Sequence, residues 1–232
     1  MNFIDCIGNS GMLGHGEPPM DGYVDITRYV PCDGDRILKN PYLDRVLEIV
    51  DTIKQSGAEP GLELLKYRNE LISEYAFSIP VYPALKIIAD SAPIVEIGAG
   101  SGYWAWCLTQ MGVVVHAIDS RPPGENDPLL WNESNRWFED SWVSIIEGDE
   151  RTLAGYGSWT LFMAWPEIHS PMAAIALRIY RNSGGHRLIY IGDPRSSGDE
   201  DFHIELSNLR VEMDFKMPGW PGIGDRMMVY TW

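Results

Sequence analysis

The stretch from Pro93 to Leu108, P-I-V-E-I-G-A-G-S-G-Y-W-A-W-C-L, constrains this chain more than any other. Ile94-Val95-Glu96-Ile97 is a short apolar run of the kind a buried parallel strand needs. Gly98, Gly100 and Gly102 follow at alternate positions. Tyr103 to Met111 then reads as a helix, with no Gly or Pro before Gly112. A strand, a glycine turn and a helix N-terminus make a corner where the backbone bends sharply and a ligand can approach, because no Cβ blocks it.

Two kinds of nucleotide cofactor use such a corner. Dinucleotide binders require G-x-G-x-x-G and rest a pyrophosphate on the helix N-terminus. Here the third glycine of that pattern is replaced by Tyr103, and the order is E-x-G-x-G-x-G. An acid at Glu96, beneath the turn, suits a cationic ligand better than a pyrophosphate. The stretch resembles the first motif of the class I S-adenosylmethionine-dependent methyltransferases, whose cofactor carries a sulfonium and an ammonium and no phosphate.

The segments that follow extend this reading. Val113 to Ile118 is a second apolar run and ends at Asp119, about 20 residues past the glycines, where an acid can grip a ribose diol. Trp142 to Ile146 predicts a third strand, ending in Glu147-Gly148-Asp149. Trp159 to Ala164 predicts a fourth, ending in Trp165-Pro166-Glu167, and Arg187 to Gly192 a fifth, ending at Asp193. Leu209–Lys216 and Met227–Trp232 alternate as a final antiparallel pair. The predicted fold is α/β: a Rossmann-like class I methyltransferase fold with a seven-stranded, mostly parallel sheet, one antiparallel strand and helices on both faces. Residues 1–90 form an N-terminal loop and helical extension or lid, and 91–232 the cofactor-binding domain.

Helices are expected from Pro41 to about Lys54, from Pro60 to about Tyr75, over Val81–Ala89, around Leu129–Phe138, from an N-cap at Ser170 with Pro171 at the first position, and over Asp201–Asn208. The glycine-rich start, up to Asn40, reads as loop. The junction Tyr75-Ala76-Phe77-Ser78-Ile79-Pro80 has two readings: a lid over the cofactor, as in many class I methyltransferases, or packing of the N-terminal helices on the sheet.

For the cofactor S-adenosyl-L-methionine, the resemblance implies contacts from Glu96, Gly98, Ala99, Gly100, Gly102, Tyr103, Asp119, Ser120, Asp149, Glu150 and Trp165, with Asp149 taking the adenine amino group. Ligands in open α/β sheets sit outside the carboxyl ends of the strands. Glu167 and Asp193 are therefore the candidate acceptor-side acids, joined by Tyr75 and His203, with His169, Trp220 and Asp225 within the same loops. Trp165 either faces the sulfonium or a cationic acceptor, or packs under its own loop.

The net charge of −15, from 33 acids against 18 bases, disfavours a nucleic-acid substrate. So does the fourth strand end. Amino-methylating nucleic-acid enzymes carry D/N-P-P-Y/F there, where this chain has Trp165-Pro166-Glu167-Ile168. A narrower resemblance, over roughly Leu71 to Trp232, is to a methyltransferase-like group with C-W-P-P-Y-, Y-I-G-E- and W-P-G-I-H-D-like segments. The matching residues are Ala164–Ile168, Tyr190–Asp193 and Trp220–Asp225, with Glu167, Ile168 and Gly224 departing from the pattern. The expected acceptor is a small molecule, amine-bearing in one reading, or a peptide, methylated at N or O. A catalytically silent cofactor-binding module and a cofactor-using enzyme of other chemistry are the alternatives. Cys6, Cys32 and Cys107 form no C-x-x-C pair, so neither disulfides nor zinc is expected, and the cytoplasm is the expected compartment. No apolar run reaches the roughly 18 residues of a membrane span, and no metal is expected.

Overall fold

A computed structural model describes residues 24–124 and 135–232. The strands are β1 (Val24–Asp25), β2 (Ile94–Ile97), β3 (Val115–Asp119), β4 (Ile146–Glu147), β5 (Thr160–Ala164), β6 (Arg187–Gly192), β7 (Arg210–Lys216), β8 (Pro218–Gly219) and β9 (Arg226–Thr231). The helices are α1 (Asp33–Ile37), α2 (Pro41–Gln55), α3 (Pro60–Leu64), α4 (Arg68–Glu74), α5 (Tyr82–Ala89), α6 (Tyr103–Gln110), α7 (Met172–Asn182) and α8 (Glu200–Ser207).

Seven strands form one sheet in the order β4-β3-β2-β5-β6-β9-β7, and β1 pairs with β8 in a separate parallel ribbon. Only β9 runs against its neighbours in the large sheet. From β2 the chain steps outward to β3 and β4, then crosses back to β5 on the other side. The point where strand order reverses therefore lies between β2 and β5, the crevice where open α/β sheets bind ligands. The residues of β2 are all buried, as a central strand covered on both faces requires.

The fold class is as the sequence predicts, and the first and fourth large-sheet strands are adjacent, with Ile94 opposite Thr160. Some local expectations are corrected. The third large-sheet strand is only Ile146–Glu147, not Trp142–Ile146. The Trp142 N–H donates to Ser101 O at 2.8 Å, its indole Nε1 donates to Glu74 O, and Val143 lies against Gly102, so this stretch braces the glycine loop instead of joining a ladder. The expected helix over 129–138 falls partly outside the described residues. Its last part, Asn135–Phe138, is not helical: Asn135 Oδ1 accepts from the Trp137 and Phe138 amides, and this side-chain turn competes with helix. The second N-terminal helix is interrupted by a 3₁₀ turn at Leu65–Tyr67. The short α1 and β1, and the pairing of β8, fall in stretches read as loop. Pro171, not Ser170, is the α7 N-cap, although Ser170 Oγ still accepts from the Met172 amide at 3.3 Å.

The extension docks through its own polar groups. Tyr42, Leu43, Val46, Ile49, Val50 and Ile53 form the buried stripe of α2. Asn40 caps this helix by accepting from Leu43 N, and its Nδ2 donates to Pro80 O at 2.8 Å. These residues share one apolar cluster with Trp104, Phe162 and Trp220, so the extension and the central strands are a single packed body on that face.

Candidate functional site

A cavity of about 290 Å³ opens at the carboxyl ends of β2, β3 and β5. The glycine turn forms one wall. Gly98, Gly100 and Gly102 have φ of 70°, 58° and 72°, a left-handed backbone that side chains rarely tolerate. A Cβ at Gly100 would meet the Phe138 ring at 2.5 Å.

Glu96 lies at the foot of this wall and is 1% exposed. Its Oε2 has no hydrogen-bond partner among the described residues. Burial pushes its carboxyl up to about 8, opposed by the Ala105 amide and reinforced by the charge of Asp119. Asp119, at the tip of β3, accepts from the Gly100 amide through Oδ2 at 2.8 Å and from the Arg121 amide through Oδ1 at 2.9 Å. Its pKa is raised by burial, against those two amides, with the Glu167 charge adding to the rise. The wall opposite Glu167 is thus already acidic. A positively charged ligand would relieve all three carboxyls.

Of the residues expected to hold the cofactor, Glu96, Gly98, Ala99, Gly100, Asp119, Ser120, Asp149, Glu150 and Trp165 line this cavity. Gly102 and Tyr103 do not. Gly102 is turned toward Val143, and Tyr103 is a buried strut whose hydroxyl donates to Asn40 Oδ1 at 2.8 Å and accepts from the Tyr42 amide. Asp149 accepts from its neighbour Arg151 through both carboxylate oxygens.

Among the four expected acceptor-side residues, only Glu167 reaches the cavity. Its Oε1 accepts from Arg136 Nη2 and Trp137 Nε1, both at 3.0 Å. Tyr75 is instead sandwiched between Tyr42, at 4.8 Å, and Trp142, at 5.5 Å. The junction thus divides its two expected roles: Tyr75 packs the extension, whereas Phe77 lines the cavity. Asp193 is turned away and bound by Arg195 Nη2 at 2.9 Å and the Gly224 amide at 2.9 Å. Burial raises its pKa, but the bonds from Arg195 and Gly224 outweigh it and leave the carboxyl below its ordinary value. His203 Nε2 lies 2.9 Å from Ser197 O, and the ring leans on Phe202 and Tyr190. His169 is exposed and outside the cavity lining, and Trp220 is fully buried against Tyr42.

Trp165 is the sole non-glycine residue with positive φ, 54°, among the described residues. Three contacts hold it in this costly conformation. Its amide donates to Ile191 O, its indole Nε1 donates to Asp225 Oδ1 at 2.8 Å, and its ring stacks on Phe77 at 5.7 Å. Asp225 is 1% exposed and leaves Oδ2 without a partner among the described residues. Burial lifts its carboxyl to about 7, against the bond from Trp165 and the charge of Arg68. Phe77, Trp137, Phe138 and Trp165 together give the cavity mouth an aromatic wall, with Phe77 edge-on to Trp137 at 5.2 Å and to Phe138 at 6.0 Å.

Sequence reasoning did not single out Ser78, Trp104, Arg136 or Phe138 as cavity residues. Their common signal is adjacency to a motif, which is weak. No group of His, Cys, Asp or Glu among the described residues could hold a metal ion, and no helix there is long and apolar enough to cross a membrane.

No family model and no curated protein matches this chain. Solved structures do. Magnesium protoporphyrin IX methyltransferase from Synechocystis, with bound SAM, is 16% identical over 63% of this chain and 75% of its own, with a TM-score of 0.42. The tRNA (uracil-54, C5)-methyltransferase of Pyrococcus abyssi, with S-adenosyl-L-homocysteine, is 14% identical over 68% of this chain and 40% of its own, with a TM-score of 0.39. Human N-acetylserotonin methyltransferase, with SAM, is 11% identical over 86% of this chain and 64% of its own, with a TM-score of 0.36. Likeness at this level concerns the fold alone.

Proposed function

We propose that this protein is a class I S-adenosylmethionine-dependent methyltransferase acting at N or O of a small, amine-bearing molecule or a peptide side chain. The observation that carries the reading is Glu96. A buried carboxyl with an unpartnered oxygen, facing a cavity at the strand-order switch, fits a cationic ligand and would repel a pyrophosphate. When bound, S-adenosylmethionine supplies an electrophilic methyl group on a sulfonium. The chain's part is to bind and orient. Asp119 offers its carboxylate to a ribose diol, and Phe77, Trp137 and Trp165 exclude water and favour a cation over their faces. Glu167 stands at the same mouth, where it can attract an ammonium and take its proton before transfer. The extension, residues 1–90, serves in this reading as the partner domain that supplies Phe77.

The aromatic, acidic mouth and the net charge favour a small acceptor over a nucleic acid. The sparse cysteines, with no C-x-x-C pair, fit a cytoplasmic setting. One observation favours a second reading, a silent cofactor-binding module: Glu167 is engaged by Arg136 and Trp137. Incubating the full chain with S-adenosylmethionine and a panel of primary amines, alcohols and short peptides separates the readings. Release of S-adenosylhomocysteine with an amine is expected, and Glu167→Gln should cut it by about a hundredfold while cofactor binding persists. Cofactor binding without turnover on any acceptor would favour the silent module, and the product's mass would expose any transfer other than methyl.

A further inference from the structure

The aromatic wall of the cavity turns on one stack, Trp165 on Phe77, with ring centroids 5.7 Å apart and planes 14° from parallel. Trp165 adopts a left-handed backbone, φ 54°. Such a conformation persists in a non-glycine residue only where the surroundings over-determine it. What over-determines it lies behind the cavity, in the loop of residues 220–225 between β8 and β9.

That loop reaches both partners of the stack. At its start, the fully buried Trp220 donates through Nε1 to the Tyr42 hydroxyl at 3.3 Å. The same hydroxyl donates to Ala76 O at 3.0 Å, one residue before Phe77. At its end, Asp225 Oδ1 accepts from Trp165 Nε1 at 2.8 Å. Between these points the Gly224 amide donates to Asp193 Oδ2 at 2.9 Å, and Asp225 O accepts from the Met217 amide at 2.9 Å. Asp193 is fastened in turn by Arg195. The loop can therefore shift only by breaking several hydrogen bonds, some of them buried. Among the described residues that line the cavity, none comes from it.

Asp225 itself is a costly brace. It is 1% exposed, and its Oδ2 has no partner among the described residues. A buried carboxyl left half-satisfied weakens a fold, and its other oxygen is where the Trp165 indole is fastened. With that N–H engaged, the indole offers a ligand its π face, which favours a cation.

We propose that Asp225 is a positioning residue: by holding the Trp165 indole from behind, it fixes that ring as the wall that makes the cavity discriminate a cation from a neutral group. The role rests on the S-adenosylmethionine reading, and it is exerted through Trp165, without contact between Asp225 and a ligand.

Calorimetric titration of the full chain with S-adenosylmethionine and S-adenosylhomocysteine tests this, because the two differ only in a methyl group and the sulfonium charge it creates. Asp225→Ala should weaken S-adenosylmethionine by about fivefold and leave S-adenosylhomocysteine within about twofold of wild type. Asp225→Asn keeps an oxygen for the indole, so it should hold both ligands within about twofold of wild type. Trp165→Phe should show the same selective loss as Asp225→Ala. Combining the two substitutions should add little, since residues that act through one contact are not additive. Equal losses of both ligands in Asp225→Ala, unchanged binding of both, or full additivity in the double variant would each overturn the positioning role while keeping the cofactor. Wild-type protein that binds neither ligand would overturn the cofactor reading, and the role with it. Should Asp225→Ala fail to fold, Asp225→Leu fills the same space without an acceptor and must show the selective loss; equal losses there sink the role.

Discussion

The two sides of the cavity are built by different means. On the β2–β3 side, backbone does most of the work: three glycines with left-handed φ, a helix N-terminus and a carboxylate, Asp119, that accepts from the loop's own Gly100 amide. Its key acid, Glu96, is buried and unpartnered. On the β5–β6 side, side chains do the work. Phe77, Trp137, Trp165 and Glu167 converge from separate segments, and Trp165 is held by Asp225 from a loop 60 residues away in sequence. The acid exposed there, Glu167, is engaged by Arg136 in an exposed ion pair. The first side is electrostatically unsatisfied, which suits it to a ligand that brings a positive charge. The second is held by side-chain contacts, and its unsatisfied buried oxygen, Asp225 Oδ2, belongs to a residue outside the cavity lining.

The harshest way to break this contrast is Gly100→Val. A branched side chain at φ 58°, 2.5 Å from Phe138 at its first carbon, should abolish S-adenosylhomocysteine binding and cost about 1–3 kcal/mol of stability. Wild-type affinity in that variant would reduce the loop to an ordinary turn. Asp119→Ala should come next, with about 1–3 kcal/mol lost from cofactor binding, read by calorimetry. Part of that loss is indirect, because Asp119 also holds the Gly100 amide, so Asp119→Asn should recover some of it.

A third test sets the two sides against each other through pH. Each holds one buried acid with a raised pKa. Glu96 is lifted to about 8 by burial and faces Asp119 and Cys107. Asp225 is lifted to about 7 by burial and faces Trp165, Asp193 and Arg68. In each case the folded form keeps its proton where the unfolded chain has lost it. Stability should therefore fall as pH rises from the ordinary carboxylate range through about 7 to about 8. Glu96→Gln should flatten the upper part of that fall in thermal melts. Saturating S-adenosylhomocysteine should do the same, because a ligand ammonium favours the charged carboxylate, yet it should leave the Asp225 part intact. A ligand that flattened both equally would erase the division between the two sides. The smallest effect is expected at Asp149→Ala, a loss of cofactor affinity smaller than that of Asp119→Ala in the same titration, since this acid is already bound by the exposed Arg151.

What could be read from the sequence follows the same division. The glycine loop, Glu96 and Asp119 are local: strand, turn and helix lie within one continuous stretch, and positive φ forces glycine. The sheet was legible for a similar reason, since buried parallel strands such as Arg187–Gly192 are continuous apolar runs between turn signals. Trp142–Ile145 misled because aromatic and branched residues also suit a brace against a turn. Asp193 stands at a strand end, as topology demands, and His203 lies in α8, but their side chains are turned into loop hydrogen bonds that no spacing rule reveals. Tyr75 and Phe77 are two residues apart and face different tasks, one between two rings and one in the cavity. Ser78 and Trp104 were invisible as site residues because a lone Ser and a helix Trp usually pack, and only an unsatisfied atom in three dimensions marks them.

The most direct test is calorimetric titration of the wild-type chain with S-adenosylhomocysteine and, separately, with NAD. Saturable binding of S-adenosylhomocysteine, displaced by S-adenosylmethionine, with no heat from NAD, is the expected result. Preference for NAD would contradict the assignment of Glu96 to a cationic ligand, and with it the reading of this protein as a methyltransferase.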